Sequence, residues 1–297
     1  LHLCDRRQRQ MCIRDRKNSK NAIKNSKIIK KERDNMKNIA IITGASSGMG
    51  REFVRQLDGQ YEEIWGIGLG EEALDIVKQE TQTHFVPLEL DLTKQESFDK
   101  LNEKLQQEKP NVVFLANCSG FGKFGRYDEI KIEDSANMVD LNCKALMQMT
   151  EYVLPYMKEG GRIVEIASVA GFQPIPYMAV YGASKAFVVS YSRAINQELK
   201  SRKIKVTCVC PFWTKTAFFD RATDTKAKNE VVSYYAAMYK PEDVVKKAIK
   251  DSRKGKELSI CGFIARSQVR LVNIFPKKIV MATWIRQQKL KKKYKDK

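Results

Sequence analysis

Tyr181 and Lys185 stand four residues apart in Tyr-Gly-Ala-Ser-Lys, near the start of an expected helix. At that spacing two side chains share one helix face, a turn apart. An ammonium so placed stabilises a tyrosinate, whose ordinary pKa of about 10 is too high for a base at neutral pH. It can also hold a ribose hydroxyl. The pattern alone is weak, because Tyr127 and Lys131 repeat it. Context separates the two pairs. Ser168 lies 13 residues before Tyr181, at the carboxyl end of an expected strand. Ligands of an open parallel sheet bind outside the carboxyl ends of its strands. Asn117 ends another strand on that edge, whereas Tyr127 has no such partner.

The second constellation is Thr43-Gly44-Ala45-Ser46-Ser47-Gly48-Met49-Gly50, between the first strand and the first helix. Glycines there allow a tight turn and close backbone approach to a pyrophosphate, and the helix aims its free N–H groups at that charge. The spacing is G-x-x-x-G-x-G. A literal G-x-G-x-x-G occurs at Gly120-Phe121-Gly122-Lys123-Phe124-Gly125. It follows the fourth strand and precedes Tyr127-Asp128 rather than an apolar helix. We read it as a mobile loop beside the site, with Phe121 and Phe124 available to substrate. Gly66-Ile67-Gly68-Leu69-Gly70 ends the second strand, where close packing explains the glycines.

Such residues need a scaffold, and the chain reads as one from Asn38 onward. Strands are expected at Asn38–Thr43, Glu63–Ile67, His84–Leu90, Val112–Ala116, Arg162–Ala167, Ile204–Val209 and Glu257–Ile260. Between them come helices at Gly48–Leu57, Glu71–Glu80, Thr93 (as cap) to Gln107, Ile132–Met157, Tyr177–Ser201 and Pro241–Arg253. That alternation specifies an α/β fold: a doubly wound parallel sheet of about seven strands with helices on both faces. We expect the fold at residues 36–261, after a disordered basic leader at 1–35 and before a C-terminal helical basic extension at 262–297. The leader's RRQRQMCIRDR resembles translated adaptor sequence, which would make Met36 the natural start.

Lys+Arg total 54 and Asp+Glu 35. Residues 1–37 hold a net +9 and residues 277–297 a net +8, so 19 − 17 leaves only +2 on the body between them. No nucleic-acid partner is expected of such a body. Seven scattered cysteines argue for a reducing compartment. With two histidines and no Cys-x-x-Cys pair, no metal site is expected. No apolar run reaches the ~18 residues of a membrane span, and no secretory signal opens the chain. The expected location is the cytoplasm.

Taken together, Thr43–Gly50 and Tyr181/Lys185 resemble the short-chain dehydrogenase/reductase family, over roughly residues 38–260. The resemblance implies a Rossmann-type fold and an NAD(P)-dependent oxidoreductase that interconverts a secondary alcohol and a ketone. It implies that Gly44, Ser46, Ser47, Gly48, Met49 and Gly50 hold the dinucleotide. Asp91 and Leu92 meet the adenine, and Asn117, Ser119 and Gly120 form the N-x-x-G turn. Tyr181 exchanges a proton with the substrate oxygen, Lys185 favours the tyrosinate and touches the ribose, Ser168 binds that oxygen, and Asn142 holds a relay water. Pro211 and Thr216 complete the nicotinamide side, although Phe212-Trp213 replaces the family's glycine there. No Asp follows the second strand, so NADP and NAD both stay open, with a slight preference for NADP through Ser46, Ser47 and Arg51. A homo-oligomer is expected.

The aromatic segment Pro211–Tyr239 (Phe212, Trp213, Phe218, Phe219, Tyr234, Tyr235, Tyr239) points to an apolar substrate such as a steroid, acyl or aromatic carbonyl, or else to core packing. Helices are expected at Cys261–Phe275 and Lys278–Lys289. They would form a membrane-surface contact, a dimer lid, or a cover over the chain's own substrate loop. The alternative to an enzyme is a catalytically idle dinucleotide-binding scaffold or sensor.

Overall fold

The computed structural model describes residues 36–225 and 231–293. The leader at 1–35 lies outside them. Strand β1 (Asn38–Thr43) is a buried apolar run, as expected of a strand covered on both faces. The chain then alternates through α1 (Gly48–Leu57), β2 (Glu63–Gly68), α2 (Glu71–Glu80), β3 (His84–Glu89), α3 (Gln95–Glu108) and β4 (Asn111–Asn117). Next come α4 (Ile132–Val139), a π-helical turn (Asp140–Ala145), α5 (Leu146–Val153), β5 (Met157–Ile166), α6 (Ala179–Glu198) and β6 (Lys205–Val209). Last come α7 (Phe218–Thr223), α8 (Pro241–Arg253), β7 (Leu258–Ser259), α9 (Phe263–Ile274), α10 (Lys277–Gln287) and α11 (Leu290–Lys293).

The seven strands pair in parallel, in the order β3-β2-β1-β4-β5-β6-β7. The pleat sends Ile39 and Ile41 to one face, against Leu101 and Leu105 of α3, Met149 and Val153 of α5 and Ile195 of α6. Ala40 and Ile42 go to the other, against Phe53 and Leu57 of α1, Leu74 and Val77 of α2 and Val244 and Val245 of α8. Each such buried side chain contributes about 1.5–3 kcal/mol, and together they bind helices to both faces. The strand order reverses between β1 and β4, so a ligand crevice opens at their carboxyl ends.

Two local expectations need correction, and one short helix is new. The helix expected over Ile132–Met157 is broken by the π turn and ends at Val153, and Met157 already belongs to β5, paired with Val112. Pro155 sits in a 3₁₀ turn between the two, where its missing N–H ends the helix. Thr93 does not cap α3. Its N–H and hydroxyl both donate to Asp91 Oδ1, at 3.0 and 2.7 Å, and the N-cap is Lys94. The short α7 was not anticipated.

Candidate active site

The loop from β1 to α1 is built around its glycines. Gly44 has φ +66°, a left-handed conformation. At Gly50 a Cβ would lie 2.1 Å from the Gly44 carbonyl oxygen, so only glycine lets the helix start this close to the strand. Ala45 N–H donates to the Ile67 carbonyl at 3.0 Å. Thr43 Oγ1 accepts from Cys118 and Ser119 N–H, both at 3.0 Å, which ties the loop to the turn after β4. No side chain caps the first turn of α1, so its N–H groups are available to an anion.

On the same edge, Ser168 follows β5 and accepts from Ala170 N–H at 3.1 Å. Its side chain lies near enough to the Tyr181 phenol to favour the tyrosinate. Tyr181, Ser184 and Lys185 are buried on one side of α6. Lys185 Nζ donates to the Ile166 carbonyl at 2.9 Å and lies 5.9 Å from the centroid of the Tyr181 ring. Burial pushes the phenol up to about 12, against the nearby Ser168 hydroxyl, and pushes the ammonium down to about 8. Desolvation penalises the charged form of each. In this arrangement Tyr181 is a protonated donor at neutral pH.

Asn142 sits in the π turn, fully buried. Its Oδ1 accepts from Phe121 N–H at 3.0 Å, and its Nδ2 donates to the Phe121 carbonyl at 2.8 Å and to Ser184 Oγ at 3.0 Å. Both amide hydrogens are used, so the side chain clamps the 120–125 loop and has no donor left for a relay water. That loop is not a spare motif. A Cβ on Gly120 would lie 2.8 Å from Asn142 Oδ1, and one on Gly122 would lie 2.8 Å from the Tyr181 ring. Phe121 and Phe124 are each 2% exposed. Phe121 is core, and Phe124 meets Tyr181 edge-on at 6.3 Å.

A cavity of about 640 Å³ joins these parts. Met49, Gly120, Pro211 and Thr216 line it together with Ser168, Tyr181 and Lys185. Thr216 also packs over the position a Gly48 Cβ would take, at 3.8 Å. The residues present thus fit a dinucleotide, with the glycine turn for its phosphates and the cavity for its reactive end. The remaining walls are mostly apolar, with Gln173, Gln268, Thr283 and Gln287 among them. Phe124, Trp213 and Phe218 face the tail side chains Leu271, Val280 and Trp284. Phe212 replaces the expected glycine by burying its ring against Trp213 and Tyr239. The tail is anchored: Trp284 Nε1 donates to the Pro176 carbonyl at 3.0 Å, and Gln288 Oε1 accepts from Ser233 and Tyr234 N–H at 2.9 and 3.0 Å.

Other expected positions fall differently. Leu92 is core, which leaves only its backbone for a ligand. Asn117 points inward, its Nδ2 donating to Glu165 (3.1 and 3.2 Å) and Thr150 (3.0 Å). Arg51 pairs with Glu80 at 2.5 Å. Tyr127 is 88% exposed, far more open than Tyr181 at 8%. Phe124 and Phe218 line the cavity as the sequence suggested, whereas Glu165 and Trp284 were not singled out as site residues. An acid inside the apolar run of β5 was the one visible signal for Glu165. Among the described residues no cluster could hold a metal, and no helix is long and apolar enough to cross a membrane.

A family model described as short chain dehydrogenase matches residues 38–227. The chain belongs to that family. It is an NAD(P)-dependent oxidoreductase with a Rossmann fold. It is 32% identical over 176 residues to an NADP-dependent 3-hydroxy acid dehydrogenase of Escherichia coli O6:H1, covering 58% of this chain and 71% of that protein. It is 30% identical over 205 residues to a very-long-chain 3-oxoacyl-CoA reductase of Bos taurus, covering 64% of each. A solved short-chain dehydrogenase from Sphingobium yanoikuyae in complex with NADPH shares the fold, with TM-score 0.67 and 24% identity, covering 81% of this chain and 97% of that one.

Proposed function

We propose that this dehydrogenase interconverts a secondary alcohol and a ketone on an apolar substrate of the steroid, acyl or aromatic carbonyl class. One observation carries the reading: the buried Tyr181 phenol and Ser168 stand together at the wall of a largely apolar cavity of about 640 Å³. That volume is shared with the nicotinamide, and the apolar part beyond it suits an apolar carbonyl substrate. When bound, the dinucleotide supplies or accepts the hydride. Gly44, Ser46, Ser47, Gly48 and Gly50 would hold its phosphates, and Met49, Gly120, Pro211 and Thr216 its nicotinamide half. The backbone of Asp91, Leu92 and Ser119 would border the adenosine.

The chain's own residues handle the proton. Ser168 orients the substrate oxygen beside the phenol, and Tyr181, held protonated by burial, donates to that oxygen during reduction. Lys185 restrains the phenol's helix face and holds positive charge close to the tyrosinate left behind. Asn142 fixes the Phe121 backbone and, through Ser184, the turn of α6 that carries Tyr181.

NADP is the preferred cofactor in this reading. Leu69, not a carboxylate, follows β2, so no acid at that position repels a 2′-phosphate, and Arg51 would exchange Glu80 for it. The named NADP-dependent relative supports the same choice. A homo-oligomer and a cytoplasmic location belong to the reading as well. Exposed Ile132 and Val139 on α4 and Phe187 on α6 offer an apolar face for a second copy. The test is the loss of reduced-nicotinamide absorbance with a panel of ketones of rising apolar size, run with NADPH and NADH separately. Turnover should rise with apolar size and favour NADPH. Cofactor binding without turnover on any carbonyl would instead mark the protein as a dinucleotide-binding scaffold.

A further inference from the structure

The mouth of the cavity carries an exposed apolar cluster, with Gln268, Thr283 and Gln287 among its polar lining. Phe263 (74% exposed), Ile264, Leu271 and Phe275 of α9, and Ile279 of α10, line the cavity while remaining roughly half exposed or more. Ile274, which does not line it, is 75% exposed. Isolated apolar side chains on a surface need no account, but a cluster around an opening does. The same two helices and the chain beyond them are cationic. No acidic residue occurs between Glu257 and Asp296. Arg266, Arg270, Lys278, Arg286 and Lys289 are exposed, and none of them forms a salt bridge among the described residues.

We infer that the α9–α10 face docks on an anionic lipid bilayer. The apolar rim enters the headgroup boundary and the flanking Arg and Lys side chains meet lipid phosphates. Charge selects this occupant. A second copy seated symmetrically would bring two acid-free cationic faces together. A polyanion without an apolar layer would neutralise the bases but leave six large apolar side chains in water. A bilayer satisfies both features at once. It also explains why the opening is on this face: an apolar substrate dissolved in the membrane would enter between α9 and α10 and reach Tyr181 without crossing water. Only that last clause rests on the proposed oxidoreductase reading, since docking requires no turnover.

The test is flotation of the full chain with phosphatidylcholine vesicles, with and without phosphatidylglycerol, at low and high salt. Wild type should float with the anionic vesicles at low salt and separate from them at high salt. Each basic side chain near an anionic surface strengthens binding about fivefold, so the triple variant R266Q/R270Q/K278Q should weaken partitioning about 10²-fold. None of the three lines the cavity, so turnover of a water-soluble ketone and the unfolding midpoint should stay as in wild type. The variant I274S should weaken partitioning without changing its salt dependence. Absence of flotation with anionic vesicles, or undiminished flotation of the triple variant, overturns the docking. Concentration-dependent self-association that I274S loses, in place of flotation, assigns the face to a second copy and also overturns it. A protein that floats but turns over no carbonyl keeps the docking and removes only the catalytic reading.

Discussion

Glu165→Gln should remove most of the pH dependence of folding between pH 4.5 and about 8. Glu165 is fully buried on β5, where it accepts from Thr150 Oγ1 at 2.7 Å and from Asn117 Nδ2 at 3.1 and 3.2 Å. Burial raises its pKa from 4.5 to about 8, against those hydrogen bonds and the positive charge of Lys185. The folded state therefore keeps a proton that the unfolded chain releases. Stability is fully present below the unfolded value and falls as pH rises through the window, levelling off above the folded value. Each pH unit across the window is worth about 1.4 kcal/mol, so the interval from 4.5 to about 8 corresponds to at most about 5 kcal/mol. Glutamine keeps the shape without the charge. Its amide also offers a donor to Asn117 Oδ1, which is buried without a partner. Urea unfolding at both ends of the window should show the variant close to wild type at the acid end and several kcal/mol more stable at the alkaline end. Parallel wild-type and variant curves would show that Glu165 titrates normally in the folded state.

Three further outcomes follow from the site. Tyr181→Phe should retain cofactor binding and lose about 10²–10⁴ in turnover, because only the proton donor is removed; Tyr127→Phe, at a fully open position, should leave steady-state rates within a few-fold of wild type. Gly50→Ala should force the phosphate turn open, since its Cβ would lie 2.1 Å from the Gly44 oxygen; overpacking of this kind costs about 1–3 kcal/mol, read as a dinucleotide titration weakened about tenfold or more. Deleting residues 262–297 should raise KM and promote aggregation by removing the Leu271, Val280 and Trp284 wall, whereas deleting residues 1–35 should leave activity and unfolding midpoint unchanged. A soluble, equally active tail deletion would show that the tail does not bound the substrate site.

What could be read from sequence and what could not divide along physical lines. Strand β1 was legible because a strand buried on both faces is a plain apolar run, and a glycine turn marks its end. Tyr181 and Lys185 were legible because helical spacing converts directly into a shared face. The end of the helix before β5 was not: Val153–Met157 is apolar in either state, and only pairing with Val112 makes Met157 a strand residue. The π turn around Asn142 has no side-chain signature, since it is a change in backbone hydrogen bonding. Which of three surfaces the tail covers was hidden for another reason. Trp284 reaches the Pro176 carbonyl across 108 residues of sequence, and its apolar spacing declares that it will dock without declaring where. Gly120 and Gly122 make the case most sharply. As a motif they imitate a phosphate loop. In the fold they are small because Asn142 stands against the first and the Tyr181 ring against the second. Their spacing reflects close approach by Asn142 and Lys185 at the first and by Phe218 and Tyr181 at the second, and only the neighbours of the missing Cβ atoms distinguish this from a second nucleotide site.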